Sequence, residues 1–586
     1  MSTESILSKS TKGVTFLMFT QFFTKILSFL LNSMLIRYLS PKIFGITAFL
    51  GFLQSTGLFF SREAIRLSTL RIQKSYNQQQ QQQQQQGDVE EKTEEILGTE
   101  IPEDVKGLNE KSNADDNDDD EYDQNVLQSI INFSYLPILL GLPLSLVLFV
   151  WQYTKLNGYF TELPFFGFSI IVLWLSIIIE LLSEPFFNIH QYLLNYKIRS
   201  QFEGSAVTVS CFVNFLIVYL HETRYNGQDG LELHNQFKEE GIAIFAFACG
   251  KFFYSLTLLL LYYRDYMRNF APMKKTQLKI TKIKSVHRTQ SFYFQNEILQ
   301  HFKKVYFQMC FKHLLTEGDK FIINALCTVE EQGIYSLLSN YGSLVTRLLF
   351  APIEEALRLF LTRLLSKKTN ANLKLSVEVL INLTKFYLYL TIMIIIFGPI
   401  NSSYLLRYLI GSKWSSTSVL ETIRIYCFYL PFLSLNGIFE AFFQSVANGD
   451  QILKHSYMMM CLSGVFLLNC YILIAKMKLS LEGLIYSNII NMILRILYCV
   501  VFINDFYKRL FHGKSSIIVN FHNLRVACFL SLLVWVLDWF FLGGYTKNLK
   551  ELAINFLLAL FLLSVMIYSE RRVIYGFIRS KTDKIK

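Results

Sequence analysis

Long apolar segments, separated by shorter polar ones, follow one another along most of this chain of 586 residues. Each is close to the roughly 20 residues that an α-helix needs to cross the hydrocarbon of a bilayer, so the pattern predicts about fourteen transmembrane helices. Polar residues interrupt the segments 298–325 and 418–446. The predicted spans are 14–36, 43–61, 126–150, 165–187, 203–220, 241–263, 298–325, 334–364, 374–398, 418–446, 454–474, 481–503, 524–543 and 548–569.

The composition is that of a polytopic membrane protein of the all-α class. Hydrophobic residues make up 52% of the chain and charged residues 17%, which is too little polar surface for a soluble chain of this size. No cleavage site follows the first apolar run, so we expect it to be retained as the first span. The net charge of +11 fits lysines and arginines gathered on the cytoplasmic side, and it gives no reason to expect nucleic acid. The nine cysteines are scattered and favour packing roles over a disulfide or metal framework.

The segment from Lys25 to Arg71 has a weaker counterpart that begins at Lys312. Gly45-Ile46 aligns with Gly333-Ile334, and the run that starts at Glu63 aligns with the run that starts at Glu355. Internal repeats of this kind are typical of transporters that hold their substrate between two lobes. The repeat therefore predicts two pseudo-symmetric six-helix lobes, followed by two C-terminal helices.

Polar segments mark the predicted divisions of the chain. Residues 72–125 contain a glutamine run and an acidic run, which cannot bury apolar surface and predict disorder. Lysines and arginines crowd into 264–297 and into the C-terminal tail, so both are predicted to be cytoplasmic, and an even number of spans puts the N-terminus there as well. The predicted parts are 1–71 (spans one and two of the N-lobe), 72–125 (disordered cytoplasmic insert), 126–263 (rest of the N-lobe), 264–297 (basic cytoplasmic linker), 298–503 (C-lobe) and 504–586 (last two spans and basic tail).

Charged residues inside the predicted spans are the first candidates for substrate binding. A charge within a bilayer is costly unless it faces a wet or protein-lined cavity. Lys25 lies near the middle of span one, on the helix face that also carries three uncharged polar residues. Span seven carries Lys312, His313 and Lys320 at matching positions, which suggests two walls of one cavity. Ion pairing within the helix bundle, for example of Lys320 with Glu317, is the alternative.

Arginines near the ends of spans form a second group of candidates. The planar guanidinium stays charged and donates two parallel hydrogen bonds, so it suits a phosphate group. Arginines at cytoplasmic helix ends also serve as positive-inside anchors, which is the alternative role. The residues that these spans add to the candidate binding set are Arg37, Arg62, Glu63, Arg66, Arg347 and Arg358.

Several acids also lie within spans, among them Glu180, Glu184 and Glu440. They could carry coupling protons or neutralise nearby arginines, and both alternatives stay open. Asn401 begins a glycosylation sequon on the side predicted to lie opposite the cytoplasm. Gly513-Lys514-Ser515 resembles the end of a phosphate loop, but lysine stands at position 508 where that motif has glycine. With no other motif of this kind, we expect neither an enzyme nor a cofactor or metal.

Six segments of the chain are similar to the eukaryotic Rft-type oligosaccharide translocation proteins. They are RYLSPKIFGITAF, SREAIRLSTLR, ELLSEPFF, QHFKKVYFQMCFKHLLTEGDK, EEQGIYSLLSNYGSL and NGIFEAFFQSVANGDQ. The resemblance covers nearly the whole chain outside the Gln/Asp-rich insert. That family belongs to the multidrug/oligosaccharidyl-lipid/polysaccharide exporter superfamily, which includes the bacterial lipid II flippase.

The resemblance implies an endoplasmic-reticulum membrane protein whose helices form two pseudo-symmetric lobes. It also implies a role in moving, or helping to move, the dolichol-pyrophosphate heptasaccharide Man5GlcNAc2 from the cytoplasmic to the lumenal leaflet during N-glycosylation. The implied partners are that glycolipid, membrane lipid and the N-glycosylation machinery. The expected mechanism is alternating access of the lobes, with Lys25, Arg62 and Arg66 binding pyrophosphate and with Arg347 and Arg358 contributing from the opposite lobe.

Two other functions fit the sequence. The first is an ion-coupled exporter of small amphipathic compounds, because one fold supports many transport functions. Acid-dependent efflux without lipid movement would favour it. The second is a non-transporting lipid-binding accessory factor of N-glycosylation. Binding of the glycolipid without flux through pure vesicles would favour that function.

Overall fold

The computed structural model describes residues 26–69, 125–193, 195–225, 232–273, 277–285, 288–294, 296–366, 369–414, 417–510 and 522–571. Within this part of the chain the structure is helical apart from one short β-hairpin and the connecting turns. The chain divides into two compact units, residues 1–35 with 49–314 and residues 36–48 with 315–586. The division falls inside the predicted seventh span, whereas the predicted C-lobe begins at residue 298.

The first half of the chain contains nine of the numbered helices and both strands of the described part. In chain order they are α1 (Ile26–Ile36), α2 (Pro41–Thr69), α3 (Leu136–Tyr153), α4 (Gly158–Thr161), α5 (Phe166–Leu182), α6 (Glu184–Tyr192), α7 (Tyr196–Tyr225), α8 (Glu232–Asn269), a 3-10 turn (Ala271–Met273), β1 (Ile283–Ser285), β2 (Arg288–Phe292) and α9 (Asn296–Thr316).

The described residues of the second half form helices joined by short turns and loops. The elements are α10 (Gly318–Leu326), α11 (Val329–Val345), a π-helical turn (Thr346–Phe350), α12 (Ala351–Ser366), α13 (Asn370–Ile410), a 3-10 turn (Ser412–Trp414), α14 (Val419–Val446), α15 (Gly449–Cys470), a second π-helical turn (Tyr471–Lys476), α16 (Ser480–Leu510), α17 (His522–Leu542) and α18 (Leu549–Ser569).

Eleven helical segments among the described residues are long and apolar enough to cross a membrane, which makes this a multi-pass membrane protein of the all-α class. The predicted number of about fourteen is not reached within the described residues, and the difference lies in three predicted spans. Of 14–36 only the shorter helix Ile26–Ile36 is described. The segment 298–325 breaks at Glu317 into α9 and α10, and 334–364 lies in the more polar helices α11 and α12. The eleven segments are Pro41–Thr69, Asn125–Tyr153, Phe166–Tyr192, Lys197–Arg224, Phe237–Asn269, Asn370–Ile410, Val419–Val446, Asp450–Lys476, Ser480–Leu510, Leu524–Phe541 and Leu549–Ser569.

The segment Phe166–Tyr192 is broken within its length. Helix α5 ends at Leu182, and Pro185 lies in the first turn of α6. Proline lacks a backbone N–H and its ring clashes with the preceding turn, so a regular helix does not continue through it. The Ser183 hydroxyl donates a hydrogen bond to the carbonyl of Glu180 (2.7 Å) at this break. The break therefore leaves Glu180 and Glu184 on its two sides.

In the second unit, α2 and α11 meet at the two glycines that the repeat aligned. A Cβ atom on Gly45 would lie 1.9 Å from the carbonyl oxygen of Val329, and one on Gly333 would lie 2.0 Å from that of Pro41. The contact is reciprocal, because each glycine faces the carbonyl of the residue four positions before the other. Only glycine lets two backbones approach this closely.

Each unit has its own buried core. In the first unit Phe187, Ala206 and Tyr262 belong to a buried apolar cluster. In the second unit the fully buried Trp414 belongs to one cluster, and a separate one joins Ile396 of α13 to the C-terminal helices α17 and α18. The apolar residues thus fill helix–helix contacts within each unit as well as facing lipid.

Part of the predicted basic linker is folded onto the first unit. Strands β1 and β2 pair antiparallel, with Ile283 opposite Phe292. The side-chain amide of Asn132 donates to the carbonyls of Thr281 (2.8 Å) and Tyr293 (3.0 Å) on either side of the hairpin. The Asn132 side chain is fully buried, and these hydrogen bonds anchor the linker to the start of the segment Asn125–Tyr153.

Candidate functional site

Two arginines of α2 face the two glutamates at the break between α5 and α6. Arg62 Nη1 lies 2.6 Å from Glu180 Oε1 and 3.5 Å from Glu184 Oε1. Arg66 forms a bidentate pair with Glu184, with Nη2–Oε1 at 2.5 Å and Nε–Oε2 at 2.9 Å. The Glu184 side chain has no exposed surface, and those of Arg62 and Arg66 are 18% and 15% exposed. In this structure the two acids neutralise the arginines, which was one of the two roles that the sequence left open.

Three further side chains complete this charged cluster. Glu63 lies 3.4 Å from Arg66, and the Ser255 hydroxyl donates to Glu180 Oε2 (3.3 Å). Lys251 of α8 lies within electrostatic range of Glu180. Three cations therefore balance three carboxylates, an arrangement that lets charges remain inside a protein at a tolerable cost. Besides Ser255, the cluster has six charged members, which are Arg62, Arg66, Lys251, Glu63, Glu180 and Glu184.

The ring of Phe187 positions the guanidinium of Arg66. The central carbon of that guanidinium lies 3.6 Å from the ring centroid, and the one of Arg199 lies 4.0 Å from it. Cation–π contacts of this kind hold a guanidinium over an aromatic face while its N–H groups stay available at the edge. In Arg66 those N–H groups already bond to Glu184. A phosphate at Arg66 would consequently have to take the place of a carboxylate.

His313 of α9 packs against α2 in the first unit. Its ring stacks on Phe59 with centroids 4.3 Å apart, meets Phe60 edge-on at 5.1 Å, and lies in hydrogen-bond contact with Thr56 Oγ1 (Nε2–Oγ1 3.2 Å). The side chain is buried. This predicted cavity residue is therefore held in an aromatic contact between two helices.

Arg37 fastens the loop before α2 to the end of α13. Its Nε and Nη2 donate to the carbonyls of Leu409 (3.1 Å) and Tyr408 (3.0 Å), which belong to the last turn of α13. In return Lys413 Nζ donates to the carbonyl of residue 38 (3.0 Å), and Trp414 Nε1 donates to that of residue 36 (3.2 Å). Arg37 thus satisfies carbonyls that a helix end leaves without intrahelical partners.

The other predicted cations have local partners or are not described in full. Lys320 pairs with Glu317 (2.5 Å), the ion pair that the sequence offered as its alternative role. Arg358 pairs with Glu355 and donates to Gln444 Oε1 (3.1 Å). Lys25 lies outside the described residues. Of Lys312 and Arg347 only the backbone places, in α9 and in the first π-helical turn, are described.

The Asn401 sequon lies inside the continuous helix α13. Asn401 Nδ2 donates to the carbonyl of Phe397 (3.0 Å). Asn401 Oδ1 lies 3.1 Å from the side-chain amide of Asn555. Ser403, the third residue of the sequon, is buried and donates to the carbonyl of Leu420 (2.7 Å). The use of this sequon stays a prediction.

The structure thus brings Arg62, Glu63 and Arg66 together in the first unit, and gives Arg37, Lys320 and Arg358 separate partners in the second. A common cavity for the whole predicted set stays a prediction. Sequence reasoning left open whether Glu180 and Glu184 neutralise arginines, and it did not identify Arg62 and Arg66 as their partners. The available signal was spacing, since both pairs are four residues apart and of opposite charge.

Comparison with known proteins extends this description. The Rft protein family matches residues 9–580. The Man(5)GlcNAc(2)-PP-dolichol translocation protein RFT1 of Saccharomyces cerevisiae is 56% identical over 595 residues, which cover 99% of this chain and 97% of that protein. The proteins of the same name from Kluyveromyces lactis and Candida albicans are 56% and 34% identical, and cover 98% and 96% of this chain, with 98% and 94% of their own lengths matched.

Two solved structures share the fold. The lipid II flippase MurJ in its inward closed conformation has a TM-score of 0.57 at 14% identity, covering 95% of this chain and 99% of its own. An inward-facing multidrug resistance MATE family transporter of the MOP superfamily has a TM-score of 0.52 at 13% identity, covering 84% of this chain and 96% of its own. At such identities the likeness concerns the fold alone.

The eleven apolar helices and these structural neighbours define a multi-pass membrane protein that shares its fold with the lipid II flippase MurJ and with a MATE family transporter. Within that class, the match over residues 9–580 and the identities above show that the chain belongs to the Rft protein family. The family predicted from the six sequence segments is confirmed.

Proposed function

We propose that this chain moves Man5GlcNAc2-PP-dolichol from the cytoplasmic to the lumenal leaflet of the endoplasmic reticulum, or supports that movement, for protein N-glycosylation. The observation that carries the proposal is 56% identity across 99% of the chain with a relative named as a translocation protein for this lipid. An identity of this size from end to end supports a shared substrate. The names of these relatives describe translocation, and we propose no enzymatic activity.

The physical problem in this function is the headgroup. The polyprenyl tail stays in lipid, but the sugars and the diphosphate must cross a region where each charge is costly. A membrane protein lowers that cost by offering polar or charged side chains along the path. Arg62 and Arg66 are two described cations of the first unit that fit a diphosphate, because an arginine can donate two parallel hydrogen bonds to it.

The ion pairs of the charged cluster restrict how a diphosphate can contact Arg66. Because Glu184 occupies two donors of Arg66, a diphosphate binds there by exchange, with phosphate oxygens replacing the carboxylate. Phosphate and carboxylate oxygens present similar acceptors to a guanidinium, so the exchange needs no new geometry at Arg66. We propose that Arg66 is the residue at which binding of the headgroup and release of Glu184 are coupled.

The proposed setting is the endoplasmic-reticulum membrane with both termini on the cytoplasmic side. The basic residues of 264–297 and of the C-terminal tail support this orientation, because lysine and arginine collect in cytoplasmic loops. The proposed partners are the dolichol-linked oligosaccharide, surrounding lipid and the N-glycosylation machinery.

The decisive experiment measures leaflet-resolved movement of labelled Man5GlcNAc2-PP-dolichol in vesicles that contain the purified protein. We expect movement above that of protein-free vesicles, and a reduction of about tenfold or more for Arg66→Ala, since a lost charge-assisted contact is worth about 1.5–3 kcal/mol. Arg224→Ala is the matched control, because Arg224 is exposed at the end of α7. Equal movement of the glycolipid in wild-type and protein-free vesicles would exclude direct translocation by this protein.

A second variant separates phosphate binding from simple charge pairing. If Arg66 serves only to neutralise Glu184, the double variant Arg66→Ala, Glu184→Gln restores both stability and glycolipid handling. If Arg66 binds the diphosphate, the same double variant is stable but remains defective in glycolipid binding.

The non-transporting accessory factor remains a second candidate, and one observation favours it. The arginines predicted to bind pyrophosphate are charge-balanced by carboxylates in this structure. A protein that only binds and presents the lipid would bind labelled glycolipid in detergent, with no flux in pure vesicles.

A further inference from the structure

The folded part of the basic linker lies across the first turns of the segment Asn125–Tyr153, and we call its residues 277–285 and 288–294 the linker strap. Gln128 and Asn132, one helical turn apart, bind the strap through its backbone. Gln128 Nε2 donates to the carbonyls at positions 277 (3.1 Å) and 279 (3.0 Å), and Asn132 Nδ2 donates to the carbonyl at position 281 (2.8 Å). Because these bonds use the backbone of the strap, its own side chains stay available for other contacts.

The outward side chains of the strap combine charge with apolar surface. Lys279 and Lys282 are exposed, and Ile280 between them is 47% exposed, whereas Ile283 is buried. Tyr293 is also exposed, and its ring centroid lies 5.7 Å from Lys282 Nζ. At a membrane interface an apolar side chain enters the boundary of the acyl chains while neighbouring ammonium groups stay among the headgroups. The pattern of lysine, isoleucine and lysine fits that environment.

The length of the supporting helical segment puts the strap at the depth of the headgroups. Asn125–Tyr153 has 29 residues, about nine more than the roughly 20 that cross the hydrocarbon. The apolar residues of α3 begin at Leu136. Before α3, the polar side chains of Ser129, Asn132 and Ser134 are buried. The hydrocarbon therefore matches α3, and the preceding turns, which hold the strap, match the headgroup layer.

The strap carries positive charge alone. It contains four lysines or arginines and neither aspartate nor glutamate. Anionic phospholipids give the cytoplasmic leaflet a negative surface potential, which attracts lysines and arginines that lie next to a membrane span. The four cations of the strap are Lys279, Lys282, Lys284 and Arg288.

We propose that the linker strap binds anionic phospholipids at the membrane surface, with Lys279 and Lys282 at the level of the lipid phosphates and Ile280 at the boundary of the acyl chains. The competing occupant is an acidic run of this chain, residues 115–121, which contains six acids and no apolar residue. That run offers charge but no apolar surface for Ile280, so the exposed isoleucine favours lipid. The inference goes beyond the proposed function because it needs no glycolipid. Only its assignment to the cytoplasmic leaflet rests on the proposed orientation.

The test places a fluorescent label on Ile280→Cys in a cysteine-free full chain reconstituted in phosphatidylcholine vesicles. The vesicles contain equal fractions of either phosphatidylcholine or phosphatidylserine brominated on the acyl chains, because bromine quenches a label only at short range. We expect the brominated phosphatidylserine to quench more strongly, with a local enrichment of about fivefold for each lysine, and high salt to remove the difference. Lys279→Gln with Lys282→Gln should also remove it. The matched control is Lys476→Gln with Lys478→Gln, two exposed lysines of the second unit, which should leave the preference unchanged.

The wild type with all its cysteines gives a second measurement. After reconstitution with equal amounts of the two phospholipids and extraction in mild detergent, native mass spectrometry identifies the lipids that stay bound. Preferential retention of phosphatidylserine, lost when Lys279 and Lys282 are both changed to glutamine, supports the proposal.

Three results would overturn the proposal. The first is equal quenching by the two brominated lipids, and the second is quenching by neither. The third is a preference for phosphatidylserine that appears only when the acids of 115–121 are replaced by neutral residues, because the acidic run would then cover the strap in the native chain. None of these measurements involves the glycolipid, so such a failure would leave the proposed function in place.

Discussion

At the scale of single residues, Glu184 is the most consequential side chain of the charged cluster. It has no exposed surface and lies within ion-pairing distance of both Arg62 and Arg66. Removing one member of a buried ion pair leaves the other charge without compensation, which costs more than the pair itself contributes. The stability of the first unit therefore depends on this carboxylate more than on either arginine.

We predict that Glu184→Gln destabilises the protein by about 3–5 kcal/mol, because two partly buried guanidinium groups lose their shared counter-charge. The measurement is the midpoint of thermal unfolding in detergent. Glu162→Gln makes the same chemical change at an exposed position of the same unit and should leave the midpoint unchanged. An unchanged midpoint in Glu184→Gln would mean that the arginines do not depend on this acid.

A second prediction at the scale of single residues concerns Trp414. Its ring is fully buried, its Nε1 donates to the carbonyl of residue 36, and it meets Phe44 edge-on with centroids 5.8 Å apart. Trp414→Phe removes the donor and leaves a small cavity, so we expect destabilisation of about 2–4 kcal/mol. The control is Trp535→Phe, because Trp535 is a 48% exposed residue of α17. Unfolding of both variants is measured. A similar loss in both variants would contradict a special role of the buried indole.

At the scale of the elements, close contacts between helices matter more for stability than helix propensity does. Gly45 and Gly333 each face a backbone carbonyl at a distance that no Cβ atom tolerates. A carbonyl fixed in a helix cannot rotate away as a side chain can. The whole helix would have to move.

We predict that Gly45→Ala and Gly333→Ala each destabilise the protein, at the upper end of the about 1–3 kcal/mol of an overpacked contact. Gly464→Ala is the control, because it lies within helix α15 with open space around it and should stabilise by up to about 1 kcal/mol through helix propensity. Thermal unfolding of the three variants gives the comparison. Neutral effects at Gly45 and Gly333 would show that α2 and α11 are not in backbone contact.

The apolar pattern was enough to predict most of the helices, because a membrane span is encoded by its own residues. The predicted spans 126–150 and 454–474 lie within observed helical segments, whereas the polar residues of 298–325 end α9 at Thr316. Partners far apart in the chain were harder to predict. Glu180 and Glu184 meet arginines 118 residues away, and the sequence could not show which helices lie side by side.

The same limit applies to the contact between α12 and α14 in the second unit. Glu440 was recognised as an acid within a span, but nothing in the sequence connected it with Glu354. Their meeting depends on Gly437, whose lack of a side chain has meaning only once α12 and α14 are seen together. A glycine inside an apolar helix is too common to predict such a contact from sequence.

At the scale of the whole molecule, the number and direction of the spans decide which loops face the cytoplasm. The proposed orientation puts the connection between α3 and α5 on the lumenal side and the linker before α9 on the cytoplasmic side. Lys155 and Lys279 are exposed residues of these two connections.

We predict that, in a cysteine-free variant in sealed microsomes, Lys279→Cys reacts with an impermeant thiol reagent added outside, and that Lys155→Cys reacts only after the membrane is opened. The reason is the gathering of basic residues on the cytoplasmic face. Each variant serves as the control for the other. The reverse pattern would invert the proposed orientation, and reaction of both in sealed vesicles would contradict the odd number of crossings proposed between them.

Helix α13 has 41 residues and is therefore about 60 Å long if regular, against about 40–45 Å for a bilayer with its headgroup layers. At the average tilt of about 20° the helix still rises about 58 Å along the bilayer normal, so about two to three helical turns extend beyond the headgroup layers. For single-particle imaging, such a stub is an attachment point outside the detergent belt. An antibody fragment raised against it, or a soluble domain fused in register with it, would give a chain of mostly lipid-facing helices a feature by which particle images can be aligned.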